Sequence, residues 1–182
     1  MSTSVKNEFE VRIDWTDKKK MSASKVIRVF VYGTLKKNEP NHHWLTTPSN
    51  GVSKFISCGQ TVEKFPLVIG TRYNIPFLLD KKGTGNNICG EIYEVDESMF
   101  SKLDELEDYP KHYDREIQEI KASDGSIIPC WLYLIRNFPE VLLTRKFLTS
   151  YTDSEEQQYC ESDSEEMSRD EMLSDMTINY EK

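Results

Sequence analysis

The spacing of apolar positions changes several times along this chain, and each change marks an element. The run "VIRVFVY", residues 26–32, is almost continuously apolar and rich in β-branched residues, which predicts a short, largely buried strand. "KFIS" and "PLVIG" predict further strands. "NIPFLLD" carries Pro76, which suits a sheet edge or the start of a strand. The Gly and Asn content of "KKGTGNN" predicts a turn. "ICGEIYEVD", "YDREIQEI" and "IPCWLYLI" alternate apolar with polar positions, and "SDG" between the last two signals a hairpin. Near the start, "EFEVRIDW" alternates too and predicts a short accessory strand within an otherwise loose arm over residues 1–24.

One segment has helical period. In "ESMFSKLDELED", residues 97–108, Met99, Phe100, Leu103 and Leu106 fall within about 120° of arc at 100° per residue, forming one apolar stripe. Asp96 is placed to cap the N-terminal amides, and Pro110 closes the far end. Glu97, Asp104, Glu105 and Asp108 fall mostly on the solvent side. Glu107 falls inside the stripe, about 80° from Met99, aimed where a sheet should lie. Many strands around one helix predict an α+β fold with a small sheet that is closed or strongly curved.

After Leu148 the periodicity ends. Residues 151–182 hold 11 Asp+Glu against 2 Lys+Arg, whereas the other 150 residues hold 20 against 21. The net charge of −8 therefore belongs to this segment, which reads as an acidic, Ser-rich, disordered tail. Ser154 and Ser164 each precede two glutamates, a pattern suited to an acid-directed kinase, although a solubilising tail explains the same composition. The tail is the place where a protein partner could dock. No broad basic field exists to hold nucleic acid or an anionic membrane. Lys18, Lys19 and Lys20 read as a solvated run. Cys58, Cys89, Cys130 and Cys160 are dispersed, with no zinc-type spacing. No signal-peptide pattern opens the chain and no apolar run reaches membrane-spanning length, which predicts a cytoplasmic protein with reduced thiols.

Two places can carry chemistry. The stretch "VFVYGTLKKNEPNHHWL", residues 29–45, ends a strand in Tyr32, Gly33, Thr34 and Leu35. Such an ending leaves successive N–H groups unpaired, and Gly33 permits close approach of a ligand or another backbone. The resulting concavity suits a carboxylate, although a tight turn with Thr34 bonding locally gives the same sequence. It lacks the Gly-Lys-Ser/Thr pattern of a phosphate loop. Glu107 is the second place. A carboxyl on a buried face gains basicity from desolvation, or else it is satisfied by an arginine or tyrosine partner. His42 and His43 are adjacent and cannot readily converge on a metal, and His112 stands alone.

"VFVYGTLKKNEPNHHWL", "FPLVIG", "NIPFLLD", "GEIYEVDESMFSKLDELEDYP" and "YDREIQEI" follow one another as in γ-glutamylamine cyclotransferases of the γ-glutamylcyclotransferase-like superfamily. The chain resembles that family over roughly residues 27–140. The resemblance implies a cyclotransferase-like domain over residues 25–150, built as a small mixed β-barrel with flanking helices. It implies that Tyr32, Gly33, Thr34 and Leu35 bind a small γ-glutamyl substrate and that Glu107 is the catalytic acid/base. It also implies that the substrate's own α-amine is the nucleophile, forming 5-oxoproline with no cofactor or metal. Asn38 stands where many relatives have Gly, and Phe77 where relatives often have Trp. The residues leave open whether the leaving group is the ε-amine of lysine or an α-amino acid. They also leave open a non-catalytic binding module of the same fold.

Overall fold

A computed structural model describes residues 26–154, 158–159 and 169–178. The anticipated arm over 1–24, with its accessory strand and lysine run, lies outside the described residues. The strands are β1 (Ile27–Val31), β2 (Ser53–Phe65), β3 (Leu67–Ile69), β4 (Pro76–Leu78), β5 (Asn86–Val95), β6 (Asp114–Ala122) and β7 (Ile127–Leu134). The helices are α1 (His43–Thr46), α2 (Glu97–Leu106) and α3 (Arg169–Met176). Short 3-10 turns cover Pro40–His42, Pro48–Asn50 and Glu140–Thr144.

Five strands close into a mixed barrel in the order β1-β5-β2-β6-β7. Four of its pairings are antiparallel. The barrel closes where β7 runs parallel to β1, with Val29 opposite Trp131. The expected α+β barrel with flanking helices is therefore present. β3 and β4 form a separate antiparallel hairpin, in which Pro76 occupies the first position of β4, where its missing N–H costs least.

The barrel explains why "VIRVFVY" and "IPCWLYLI" are so apolar. Phe30 of β1 and Tyr32 just after it join Cys130, Leu132 and Leu134 of β7 in one apolar cluster, together with Ile92 of β5 and Ile120 of β6. The alternate positions Val29, Val31, Tyr133 and Ile135 join a second cluster with Met99 and Leu103 of α2. These strands are buried on both faces, so the period-two contrast is weak. Gly90 is a point of close approach. A Cβ there would sit 2.3 Å from the Val31 carbonyl oxygen and 2.6 Å from the Phe30 ring. Its absence lets Phe30 pack across β5. β2 is far longer than "KFIS" suggested. Register shifts at Phe55/Ser57 and Gln60/Lys64 bend it, so that it pairs with β5 along most of its length and with β6 at Gly59, Gln60 and Thr61.

Asp96 caps α2 as anticipated, accepting from the Met99 N–H at 2.8 Å. The far end stops before Pro110 is reached. Asp108 takes a left-handed conformation (φ 46°), its N–H donates to the Glu105 carbonyl, and the Tyr109 N–H donates to the Asp104 carbonyl at 2.9 Å. This two-bond closure is the Schellman arrangement, with Asp108 where glycine is commonest. The Tyr109–Pro110 peptide is cis.

The expectation of an unpacked tail from residue 151 is corrected at the described positions. Tyr151 is 1% exposed and packs in the barrel cluster. α3 lies against the domain, with Met176 buried and Met172 and Leu173 half-buried against the second cluster. Composition misses this because three apolar residues on one face suffice to dock a short helix, however acidic its neighbours are. Tyr151→Ala should lower the unfolding free energy by about 3 kcal/mol, measured by urea denaturation. The Tyr151 hydroxyl has no hydrogen-bond partner among the described residues. Tyr151→Phe should therefore leave stability unchanged or raise it.

Candidate active site

β1 carries the chain out of the barrel wall into the turn that follows Tyr32. The Tyr32 side chain stays in the interior, its hydroxyl donating to the Tyr133 carbonyl at 2.9 Å. The Lys36 N–H donates to the Gly33 carbonyl, and the Asn41 N–H donates to the Thr34 carbonyl at 3.0 Å, so the loop is pinned by its own backbone. Asn41 Nδ2 also donates to Thr34 Oγ1 at 3.2 Å. Asn38 supplies the left-handed residue (φ 68°) where glycine was the alternative. Among the described residues, no hydrogen bond occupies the N–H groups of Gly33, Thr34 or Leu35. The close approach at Gly33 is made by Pro76, whose ring carbon would lie 2.9 Å from an added Cβ. Gly33 thus seats the β3–β4 hairpin against the loop. His42 and His43 each direct Nδ1 to a carbonyl of the same loop, those of Leu35 and Pro40.

α2 brings Glu107 to the same place. Its apolar stripe docks on the outside of the barrel, and the helix ends with Glu107 as its last capping residue. One cavity of about 170 Å³ is lined by Tyr32, Gly33, Thr34 and Leu35 on one side and by Glu107 on the other. Asn41, Tyr113, Tyr133 and Tyr159 complete its polar lining, and its apolar lining includes Ile75, Leu106 and Met172.

Electrostatics make Glu107 unusual. Its residue surface is half-open to the cavity, but protein packs around the carboxyl group, and that desolvation pushes its pKa up to about 8. The negative charge of Asp104, one turn earlier on α2, adds to the rise. Carbonyls at a helix C-terminus disfavour a carboxylate in the same sense. Among the described residues, Glu107 has no side-chain hydrogen bond or ion pair that would hold it ionised. The Tyr32 and Tyr113 hydroxyls are held well above their usual range, first by burial and then by Glu107. They therefore remain protonated; the Tyr32 proton is engaged by the Tyr133 carbonyl, which leaves Tyr113 as the donor into the cavity.

Asp104 is itself held in place. It accepts from the Tyr133 hydroxyl at 2.7 Å and pairs with Arg115 at 3.2 Å. The Arg115 guanidinium lies over the rings of Phe100 and Tyr109, 4.1 and 4.5 Å from their centroids. Beyond Glu107, Asp108 accepts from His112 Nδ1 at 2.9 Å, which keeps the Asp108 carboxyl below its usual range.

All five residues singled out in the sequence thus line one cavity. Several others were not anticipated. Asn41 sits within the opening stretch, and its Oδ1 is buried without a partner among the described residues. Tyr113 and Tyr133 were counted only as strand positions. Tyr159 and Met172 come from the segment read as a tail. Their signal was a tyrosine and the spacing of Met172, Leu173 and Met176 inside an acidic background.

The family described as gamma-glutamyl cyclotransferase, AIG2-like, matches residues 29–157. A Drosophila melanogaster protein provisionally named a gamma-glutamylcyclotransferase is 61% identical over 134 residues, covering 74% of this chain and 85% of its own. Gamma-glutamylaminecyclotransferase C of Danio rerio is 44% identical over 128 residues, covering 68% of this chain and 84% of its own. The crystal structure of an AIG2-like protein from Mus musculus aligns with a TM-score of 0.71 at 36% identity, covering 75% of this chain and 95% of that one. This chain belongs to the AIG2-like gamma-glutamyl cyclotransferase family. It is an enzyme of the cyclotransferase type.

The raised pKa has a consequence for stability. Between about 4.5 and about 8 the folded state keeps a proton on Glu107 that the unfolded state has lost. Glu107's contribution is therefore fully present below about 4.5 and is lost as pH rises through about 8. The difference in unfolding free energy between the parent and Glu107→Gln should fall over that window in urea titrations. Removing the Asp104 charge lowers the Glu107 pKa, so in an Asp104→Asn background the upper edge of the window should move to lower pH.

Proposed function

We propose that this cavity cleaves γ-glutamyl amines, releasing 5-oxoproline and the free amine, with Glu107 as acid and base. The observation that carries the reading is a desolvated carboxyl, raised to about 8, facing a turn with three unoccupied N–H groups. The substrate's α-carboxylate would sit on the amides of residues 33–35, where no lining cation is needed to receive it. That anchor folds the γ-glutamyl chain so that its α-amine approaches its own γ-carbonyl, replacing a bimolecular attack by ring closure.

An α-amine attacks only when neutral, and the free carboxylate beside it holds the α-amine of a γ-glutamyl amide above the 7.7–8.0 of a chain terminus. A carboxyl raised to about 8 is therefore far better able to take that proton than an ordinary one. In the empty cavity Glu107 is mostly protonated at neutral pH. An arriving α-ammonium places a positive charge beside it and favours the carboxylate, which can then accept the ammonium proton. The amine attacks the γ-carbonyl carbon and the five-membered ring closes. Glu107 returns the proton to the leaving nitrogen, the carbonyl re-forms as the C–N bond breaks, and the second proton of the ring nitrogen passes to the released amine. Tyr113, kept protonated and close enough to feel the Glu107 charge, is suited to stabilising charge that develops on the carbonyl oxygen.

The relatives' name, gamma-glutamylaminecyclotransferase, supports an amine leaving group such as the ε-amine of lysine. The cavity lining supports it too. Among the described lining residues none is Lys, Arg or His, so a second carboxylate beside the scissile bond, as in an α-amino acid, would lack a counter-charge. Ile75, Leu106 and Met172 suit the methylenes of an alkylamine.

Incubation with γ-glutamyl-ε-lysine and with a γ-glutamyl-α-amino acid, assaying 5-oxoproline, should favour the first. In the same assay Glu107→Gln should lose at least about 10²-fold in kcat. Near-parental turnover by a folded Gln variant would remove Glu107 from the reaction. For the parent, kcat/KM should fall as pH drops below about 8, because the free enzyme's Glu107 is then protonated.

A further inference from the structure

The family match ends at residue 157, yet the cavity wall does not. α3, residues Arg169–Met176, lies beyond it and contributes Met172 to the lining. The helix is fastened at two points. Asp175 is buried, accepts from the Arg72 N–H at 2.9 Å and pairs with the Arg72 side chain at 3.6 Å. Arg145 donates from Nη2 to the carbonyls of Met176 and Ile178 at 3.0 and 2.8 Å, and from Nη1 to the Ile69 carbonyl at 2.6 Å. A cation on the last carbonyls of a helix satisfies groups that have no intrahelical partner. Both anchors lead to the β3–β4 hairpin. Ile69 ends β3, Arg72 lies in its turn, and Ile75 immediately precedes β4. The hairpin's Pro76 in turn packs on Gly33.

We propose that α3 is a specificity wall, in which Met172 bounds the leaving-amine end of the cavity and selects slender, unbranched alkylamines over bulky ones. This rests on the reading of the cavity as a γ-glutamyl amine site. The polar lining is taken up by the γ-glutamyl half, with its carboxylate, amine and carbonyl. Of the apolar lining, Phe30, Val31 and Leu35 belong to β1 and the loop that hold the γ-glutamyl half, and Pro76 packs on that loop; Ile75, Leu106 and Met172 are left for the leaving amine. Leu106 is fixed by its place beside Glu107, and Ile75 by the hairpin. Met172 alone of the three belongs to an element outside the family match, so the width of this end is a property of this chain's own extension. A methionine there fills space adaptably, but it still excludes a ring or a branch near the scissile nitrogen.

The test compares the γ-glutamyl amides of n-butylamine and benzylamine, using the full chain and its variants. Both kcat/KM and calorimetric Kd are measured for each amide. Met172→Ala should raise the benzyl-to-butyl ratio about tenfold in both quantities, the scale of one side-chain contact in an apolar pocket. Met172→Leu, which keeps the volume, should hold the parent's ratio. Asp175→Ala, which removes both bonds to Arg72, should raise the ratio as Met172→Ala does. Melting temperatures identify any variant that has lost its fold. An unchanged ratio in folded Met172→Ala and Asp175→Ala overturns the wall. A parent that binds both amides but releases no 5-oxoproline contradicts the catalytic reading instead, and the Kd ratios then still decide the wall. A parent that binds neither amide overturns both.

Discussion

The site depends on one constraint: the carboxyl of Glu107 is desolvated by the protein packed around it and, among the described residues, is given no cation. A carboxyl in that position would ordinarily find an arginine or lysine. The Arg115 guanidinium is held on Asp104 and stacked on Phe100 and Tyr109. Arg115 thus partly offsets the Asp104 charge without reaching Glu107. The tyrosines that surround the carboxyl are buried and keep their protons. The cost of this arrangement is borne by the barrel and by the second apolar cluster, in which Met99 and Leu103 fix α2 against Tyr133 and Ile135. The closed sheet fixes Tyr32 and Tyr133 relative to each other, and the helix end fixes Glu107 relative to both.

The reaction we propose needs little else from the protein. The nucleophile, the electrophile and the leaving group all belong to one molecule, so the protein must fold that molecule and move a proton. A loop that exposes backbone amides and a carboxyl raised towards the proton affinity of an α-amine are the two parts that such a task requires. The geometry of the cavity supports this division, with the amides on one side and the carboxyl on the other.

Much of this could be read in the sequence, for local reasons. The helix over 97–106 is set by period and cap, and the same period puts Glu107 among Leu103 and Leu106. The turn after Tyr32 is announced by Gly33 at the end of a β-branched run. Other features depend on contacts remote in sequence. β2 could not be read beyond "KFIS" because its central residues are polar and its pairing is set by bulges against β5. Gly33 was read as room for a ligand or another backbone, and the neighbour that comes close is Pro76, 43 residues on. The tail was read from its charge. α3 is held instead by Arg72 and Arg145, each paired with atoms far along the chain, and no local pattern reports such anchors.

The central claim is that Glu107 is a carboxyl whose proton affinity is raised far above the ordinary carboxylate range, towards that of an α-amine. A ¹³C-detected titration of the labelled Glu107 side-chain carboxyl in the unliganded protein measures this without reference to turnover. The account predicts a midpoint near 8, well separated from those of the exposed glutamates. A midpoint near the ordinary 4.5 would contradict it, because a carboxyl already ionised throughout the neutral range has no raised affinity for the substrate's proton.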